Sequence, residues 1–139
     1  MSWCEHPVVN ALLSYYVAAA EAEDVLCDIR AQIPDNLPHI SNSSLCVLIG
    51  NLLENALDAC KRMTTGERYL TFRARVQGEM LSVTVDNTYN GQVKMCRGQF
   101  VSSKRDEVGT GLRSVENIAA RHGGAAAFEP GETMFRSSV

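Results

Sequence analysis

Apolar residues recur along the chain with two different periods, and each period predicts a different element. Between Val8 and Glu23 they recur every three or four residues, which predicts a helix. Between Val25 and Ile33 apolar and polar residues alternate, which predicts a half-buried strand that is stopped at Pro34. A longer helical pattern follows the next loop, and Ser41 or Asn42 is suited to cap it.

Further strands and one more helix are predicted in the rest of the chain. The remaining predicted elements are the long helix to about Met63, a hairpin of strands 68–76 and 80–86, a helix from 110 to 122, and strands 125–129 and 134–139. Residues 87–109 show weak periodicity and are predicted to form a long loop, which in a compact domain is usually functional. The sequence thus predicts one α+β domain over residues 1–139, a two-layer sandwich with a mixed, mostly antiparallel sheet and helices on one face.

Composition narrows the partners that such a domain can have. The 139 residues include 13 basic and 16 acidic side chains, a formal net charge of −3, so we expect no binding to nucleic acid or to an anionic membrane. No run of about 18 apolar residues is present, and the start of the chain lacks the pattern of a signal peptide. The five cysteines are odd in number and form no C-x-x-C pair, which favours reduced thiols in the cytoplasm.

The long helix carries polar residues beside its apolar stripe. Asn51, Asn55 and Asp58 stand at positions i, i+4 and i+7, so they project as a row from one side. Asparagine is a mediocre helix former, and burying its amide without a partner is unfavourable. Such a row is tolerable where it faces a polar ligand, and amide oxygens are hard donors of the kind that Mg²⁺ accepts beside phosphate oxygens. The alternative is a solvated helix edge.

Glycines precede the last predicted helix. Gly109 and Gly111 flank Thr110 just where the helix begins, and glycines there let backbone N–H groups approach an anion that the helix dipole also favours. A phosphate chain suits such a position, and Lys104 could add a cationic contact. The alternatives are an ordinary loop turn and a solvated lysine.

The second hairpin strand ends in polar residues, from Asp86 to Gly91. A carboxylate at a strand end can accept a hydrogen bond from an exocyclic amine, which is how adenine is distinguished from guanine. The alternative is turn chemistry, because Asp, Asn and Gly all favour turns.

Taken in order, the three segments resemble the motifs of the gyrase–chaperone–histidine kinase–mismatch-repair (GHKL) ATPase superfamily. The helix from Asn51 to Ala59 resembles its N box, and residues 86–91 and 109–112 resemble its two glycine boxes. The stretches Gly50–Ala56, Ser103-Lys104 and Gly109–Val115 are most similar to those of Agr-type quorum-sensing histidine kinases.

This resemblance implies a role for each motif. Asn55 would coordinate the Mg²⁺ that bridges the ATP phosphates, and Asp86, or else Asn87, would read the adenine amino group. Residues 92–108 would form a mobile lid. The implied site residues are Asn51 and Asn55 as catalytic residues and Asn55, Asp58, Asp86, Asn87, Lys104, Gly109, Thr110, Gly111 and Leu112 as residues that bind Mg·ATP.

The resemblance also implies a reaction. Where hydrolytic members carry a glutamate that activates water, this chain has Asn51, and an amide is no general base at neutral pH. We therefore expect a histidine kinase catalytic domain, which transfers the γ-phosphoryl group of ATP to a histidine on a separate dimerisation domain and acts indirectly on a response regulator. It would be a cytoplasmic domain of a membrane-anchored protein.

None of the three histidines resembles a phosphoacceptor, so His6, His39 and His122 are interpreted as structural and the acceptor is expected upstream of Met1. Two alternatives stay open. One is a protein serine kinase like the anti-sigma factors, which share the fold. The other is a degenerate nucleotide-sensing or docking module, since Thr88 and Asn90 stand where the first glycine box has glycines.

Overall fold

A computed structural model describes residues 2–90, 94–96, 99–102, 107–108, 110–130 and 134–138, and among these the side chains of residues 2–90 and 111–129. The helices are α1 (Pro7–Ala22), α2 (Asn42–Lys61) and α3 (Thr110–Arg121). The strands are β1 (Leu26–Gln32), β2 (Tyr69–Gln77), β3 (Met80–Thr88), β4 (Lys94–Cys96), β5 (Gln99–Ser102), β6 (Glu107–Val108), β7 (Ala127–Pro130) and β8 (Met134–Ser138).

The main sheet has the strand order β1-β2-β3-β8-β7. β1 and β2 pair in parallel, and all other pairs in this sheet are antiparallel. Gly78 turns the chain between β2 and β3 with a φ of 62°, a conformation that glycine adopts without strain. The predicted fold class, a mixed and mostly antiparallel sheet combined with helices, is confirmed.

The predicted loop at residues 87–109 is wrong in two respects. β3 continues through Asn87 to Thr88, because both residues pair with neighbouring strands. β4, β5 and β6 then form a small antiparallel sheet of their own. Strands of two to four residues are too short to show a period in the sequence, and their pairing is set by contacts between them.

Local chemistry explains where the first two helices begin. His6 caps α1, its Nδ1 accepting a hydrogen bond from the Val9 N–H at 3.4 Å, and Pro7 occupies the first turn. Ser41 caps α2, its Oγ accepting from the Ser44 N–H at 3.1 Å. No helix formed by the described residues combines the length and apolarity needed to traverse a lipid bilayer.

The core lies between the helices and one face of the sheet. Phe72, Val83 and Val85 are buried on that face, and Leu52 and Leu53 of α2 are buried against them. Burying one such side chain stabilises the fold by about 1.5–3 kcal/mol. The alternate residues of β2 and β3 point to the other face of the sheet, and this pleat decides which residues at the strand ends can face the helices.

Candidate functional site

The polar row of α2 runs along the margin of the core. Asn51, Asn55 and Asp58 are all half-buried, whereas Leu52 and Ala56, on the neighbouring face, are fully buried. Each side chain of the row is thus partly packed and partly accessible. Half-buried amides on a helix are the arrangement expected where a polar ligand completes the contacts.

The start of α3 lies directly against this row. A β-carbon at position 111 would lie 3.1 Å from the Oδ1 atom of Asn51, 3.4 Å from its Cγ and 3.6 Å from its Cβ. The first contact is shorter than real β-carbons normally make, so only glycine leaves the Asn51 amide where it is. α2 and the start of α3, which are far apart in sequence, thus lie against each other.

α3 is held in place by its apolar side. Leu112, Val115 and Ile118 are buried, and the helix packs against α2. Because the Leu112 side chain is buried, only its backbone could contact a ligand at the helix start. Of the other predicted phosphate-binding residues, Thr110 is described as the first residue of α3, without its side chain, and Gly109 and Lys104 lie outside the described residues.

The two candidates for reading adenine lie on opposite faces of β3. Asn87 continues the buried series of Val83 and Val85 and is only 1% exposed. Asp86 pairs with Thr71 and continues the series of Ser82 and Thr84, which face away from the helices. The pleat therefore brings Asn87, and not Asp86, to the side on which α2 carries its polar row.

The Asn87 amide has a defined orientation. Its Nδ2 donates a hydrogen bond to the Thr88 carbonyl oxygen at 3.0 Å, which leaves Oδ1 as the acceptor of the group. The Cys60 thiol at the end of α2 contacts the same carbonyl at 3.5 Å and the Tyr69 carbonyl at 3.4 Å. Burial raises the pKa of this thiol, so it stays protonated and serves as a donor that ties α2 to the end of β3.

A tyrosine of α1 holds the carboxylate next to Asn55. The Tyr16 hydroxyl donates to Oε2 of Glu54 at 3.0 Å, and it also approaches the backbone of α2 at Gly50. Burial, and after it the Glu54 hydrogen bond, raises the pKa of Tyr16 to about 12. Glu54 is thus engaged on the α1 side of the helix. This contact was not predicted, because it joins residues 38 positions apart and neither carries a motif.

The residues at this site fit a magnesium ion that arrives with a phosphate ligand. Among the described residues, no group of three or more His, Cys, Asp or Glu side chains gathers at one point. Mg²⁺ is usually bound through one or two protein oxygens together with substrate phosphates and retained waters. One amide oxygen from Asn55, within the polar row, would satisfy that requirement.

The histidines have structural contacts. His6 caps α1, His122 Nδ1 lies 2.9 Å from the Ile118 carbonyl oxygen, and His39 Nε2 lies 3.1 Å from Glu79 at the far end of the hairpin. None of these contacts involves the polar row of α2.

Comparison with known proteins gives a consistent picture. A family model described as the GHKL domain matches residues 40–139. No curated protein sequence matches the chain. Several solved structures have the same fold, although their sequence identities are low.

Three of these structures are histidine kinases. The histidine kinase domain of the Erythrobacter litoralis EL346 blue-light activated kinase is 19% identical with a TM-score of 0.66, and the match covers 95% of this chain and 59% of that one. The Acinetobacter baumannii histidine kinase AdeS is 12% identical with a TM-score of 0.65, and the match covers 94% of this chain and 60% of that one. A histidine kinase from Burkholderia phymatum STM815 is 13% identical with a TM-score of 0.69, and the match covers 96% of this chain and 67% of that one. The chain thus spans about three fifths of the first two structures.

Proposed function

Because the chain belongs to the GHKL domain family, we propose that it is the ATP-binding catalytic domain of a sensor histidine kinase. In this proposal it transfers the γ-phosphoryl group of ATP to a histidine on a separate dimerisation domain, and a response regulator receives the group in turn. The structural likeness to histidine kinases supports the choice within the family.

One observation carries the proposal. The Asn51 amide lies against Gly111, so the polar row of α2 and the backbone at the start of α3 form two adjacent walls. A triphosphate held there would meet amide oxygens on one side and the positive end of a helix on the other. In this proposal Asn55, one turn beyond Asn51 on α2, would hold Mg²⁺ on the phosphates.

In this proposal, Asn87 is the residue that recognises the adenine ring. It is buried at the end of β3 on the helix side, and its Oδ1 is an acceptor that suits the adenine amino group. Asp86, the first candidate from the sequence, faces away from the helices and is replaced in this role. Lys104, Gly109 and the lid formed by residues 92–108 remain proposals from the resemblance.

The residues favour phosphoryl transfer over hydrolysis. Phosphoryl transfer requires mainly positioning and neutralisation of charge, and bound Mg²⁺ supplies the latter. Asn51 contributes an amide that orients the phosphates and cannot take a proton from water. Glu54, the carboxylate beside Asn55, is hydrogen-bonded to Tyr16 and is thus directed toward α1.

The site alone does not identify the acceptor. We favour histidine over serine because the similar structures named above are histidine kinases. The N-box and glycine segments further resemble those of Agr-type quorum-sensing kinases, and we propose that the domain works in the cytoplasm as part of a membrane-anchored sensor of that kind.

The test is phosphate transfer to a separate acceptor. The chain is incubated with γ-labelled ATP, Mg²⁺ and a helical dimerisation domain that carries a phosphoacceptor histidine, and a matched sample carries that histidine changed to alanine. We expect label on the intact acceptor only, lost in acid and kept in base, as phosphohistidine requires. Acid-stable label would identify a hydroxyl acceptor. ATP binding without any transfer would favour a nucleotide-sensing module.

A further inference from the structure

The face of the sheet that points away from the helices carries arginines that the nucleotide site does not use. Arg30, Arg73 and Arg75 line a groove of about 350 Å³, together with Ser82 and Thr84. These three arginines are termed the arginine face below.

The backbone fixes the spacing of the arginine face. Arg30 of β1 and Arg73 of β2 are direct partners in the parallel pair. Arg75 follows two residues later on β2, so it points to the same side. Neighbouring strands are about 4.8 Å apart, and alternate residues of one strand are about 7 Å apart. The three guanidinium groups are therefore presented as a compact, ordered set.

The positive charge of this set is only partly neutralised. Asp28 lies 3.6 Å from Arg30 Nε and 3.8 Å from Arg73 Nη2, so one carboxylate serves two arginines. No ion pair among the described residues involves Arg75. Asp86 is on this face as well, two residues beyond Thr84 and outside the groove.

Such an arrangement does not benefit the folded domain by itself. Like charges that face each other across two strands are destabilising, and exposed ion pairs contribute little to the stability of the fold. The Arg30 and Arg73 side chains are 73% and 49% exposed, so they remain available to a partner. A chain with a net charge of −3 has nevertheless concentrated three of its basic side chains in one groove.

We propose that the arginine face docks an acidic, carboxylate-rich segment of a partner protein. The planar guanidinium group binds carboxylates through paired, charge-assisted hydrogen bonds. Carboxylates on alternate residues of an extended segment are about 7 Å apart, which matches the spacing of Arg73 and Arg75. The Ser82 and Thr84 hydroxyls can serve as further donors or acceptors to such a segment.

The shape and size of the face favour a protein segment over a membrane. Lipid recognition by charge typically uses about four to eight basic residues beside the surface. Here three arginines line a concave groove within a negatively charged chain. This inference is independent of the nucleotide site, which lies on the other side of the sheet.

The experiment measures binding of a defined acidic probe to the whole 139-residue chain. The probe is a fluorescent peptide with glutamate at alternate positions and serine between, and the control peptide carries glutamine in place of each glutamate. We expect the glutamate peptide to bind, the glutamine peptide to fail, and added salt to weaken binding.

Variants assign the binding to the groove. The triple variant combines Arg30→Gln, Arg73→Gln and Arg75→Gln, and it should bind the glutamate peptide at least about tenfold more weakly than wild type. Arg75→Gln alone should weaken this binding measurably. Arg121→Gln, at an exposed position on α3, is the matched control and should bind normally. ATP affinity and the melting temperature should stay near wild type in every variant. If the triple variant fails to fold, the single Arg75 variant decides.

Several results would overturn the inference. Undiminished binding by Arg75→Gln and the triple variant would do so, as would an equal loss in the Arg121 control. Arginine-dependent binding of phosphatidylserine vesicles or of inorganic phosphate, with no binding of the glutamate peptide, would assign the face to a different anion.

Discussion

Gly111 lies so close to Asn51 that a β-carbon at position 111 would come within 3.1 Å of the asparagine Oδ1. The glycine at the start of α3 therefore leaves room for the amide on α2, which a β-carbon there would shift by a few tenths of an ångström. A substitution at either position changes the contact between the two walls of the proposed nucleotide site, and this coupling leads to the first prediction.

Gly111→Ala should weaken binding of Mg·ATP without destabilising the fold. The added methyl group displaces the Asn51 side chain, and the loss of one well-placed hydrogen bond corresponds to about a five- to tenfold weaker affinity. The melting temperature should stay the same or rise slightly, because alanine in a helix is about 1 kcal/mol more favourable than glycine. Calorimetric titration and thermal melting measure the two effects.

Gly124→Ala is the matched control for this change. A β-carbon there would lie 3.5 Å from the Ala119 carbonyl oxygen, which is an ordinary contact, so the affinity for ATP should not change. Unaltered ATP binding by Gly111→Ala would show that the Asn51 amide does not take part in the nucleotide site.

The opposite faces of β3 lead to a second prediction. Asn87→Ala should weaken the binding of ATP about tenfold and reduce the preference for ATP over GTP, because the adenine amino group loses its hydrogen-bond acceptor. Asp86→Ala, one residue earlier and on the other face, should retain both the affinity and the preference. Competition titrations with ATP, ADP and GTP measure this. The reverse pattern would restore Asp86 as the residue that reads the base.

The raised pKa of Tyr16 leads to a prediction about pH. The folded chain holds the phenol proton up to about pH 12, whereas the ordinary pKa is 10.0, so more protons are bound in the folded state between these values. The stability contributed by Tyr16 is therefore complete below pH 10 and is lost as pH rises toward 12. The advantage of wild type over Tyr16→Phe should shrink across that window.

Chemical denaturation from pH 8 upward measures this difference. Tyr15→Phe is the matched control, since Tyr15 is 68% exposed and lies beside Tyr16 in sequence. The difference in stability between wild type and this control should be small. If Tyr16→Phe followed the wild-type pH dependence unchanged, the pKa of Tyr16 would not be raised in the folded chain.

The sequence predicted the parts of this fold that depend on local periodicity. The helical stripe of α2 and the alternation from Val25 to Ile33 were both confirmed, because each reflects burial on one face. The alternation of Val83 and Val85 also contained the evidence for Asn87, which is the next residue on that face. The turn-forming character of Asp, Asn and Gly obscured it.

What the sequence did not reveal depends on contacts between distant residues. The parallel pairing of β1 with β2, the small sheet formed by β4 to β6 and the Tyr16–Glu54 hydrogen bond join segments whose own patterns carry no sign of the partner. The closeness of Asn51 and Gly111 likewise depends on the packing of α3 on α2.

The most direct test of the nucleotide site is a calorimetric titration of ATP with and without Mg²⁺, on wild type and on Asn55→Ala. The account predicts that wild type binds ATP, that Mg²⁺ strengthens the binding, and that Asn55→Ala loses most of this magnesium effect, about tenfold or more in affinity. An Asn55→Ala chain with wild-type affinity and the same response to Mg²⁺ would contradict it.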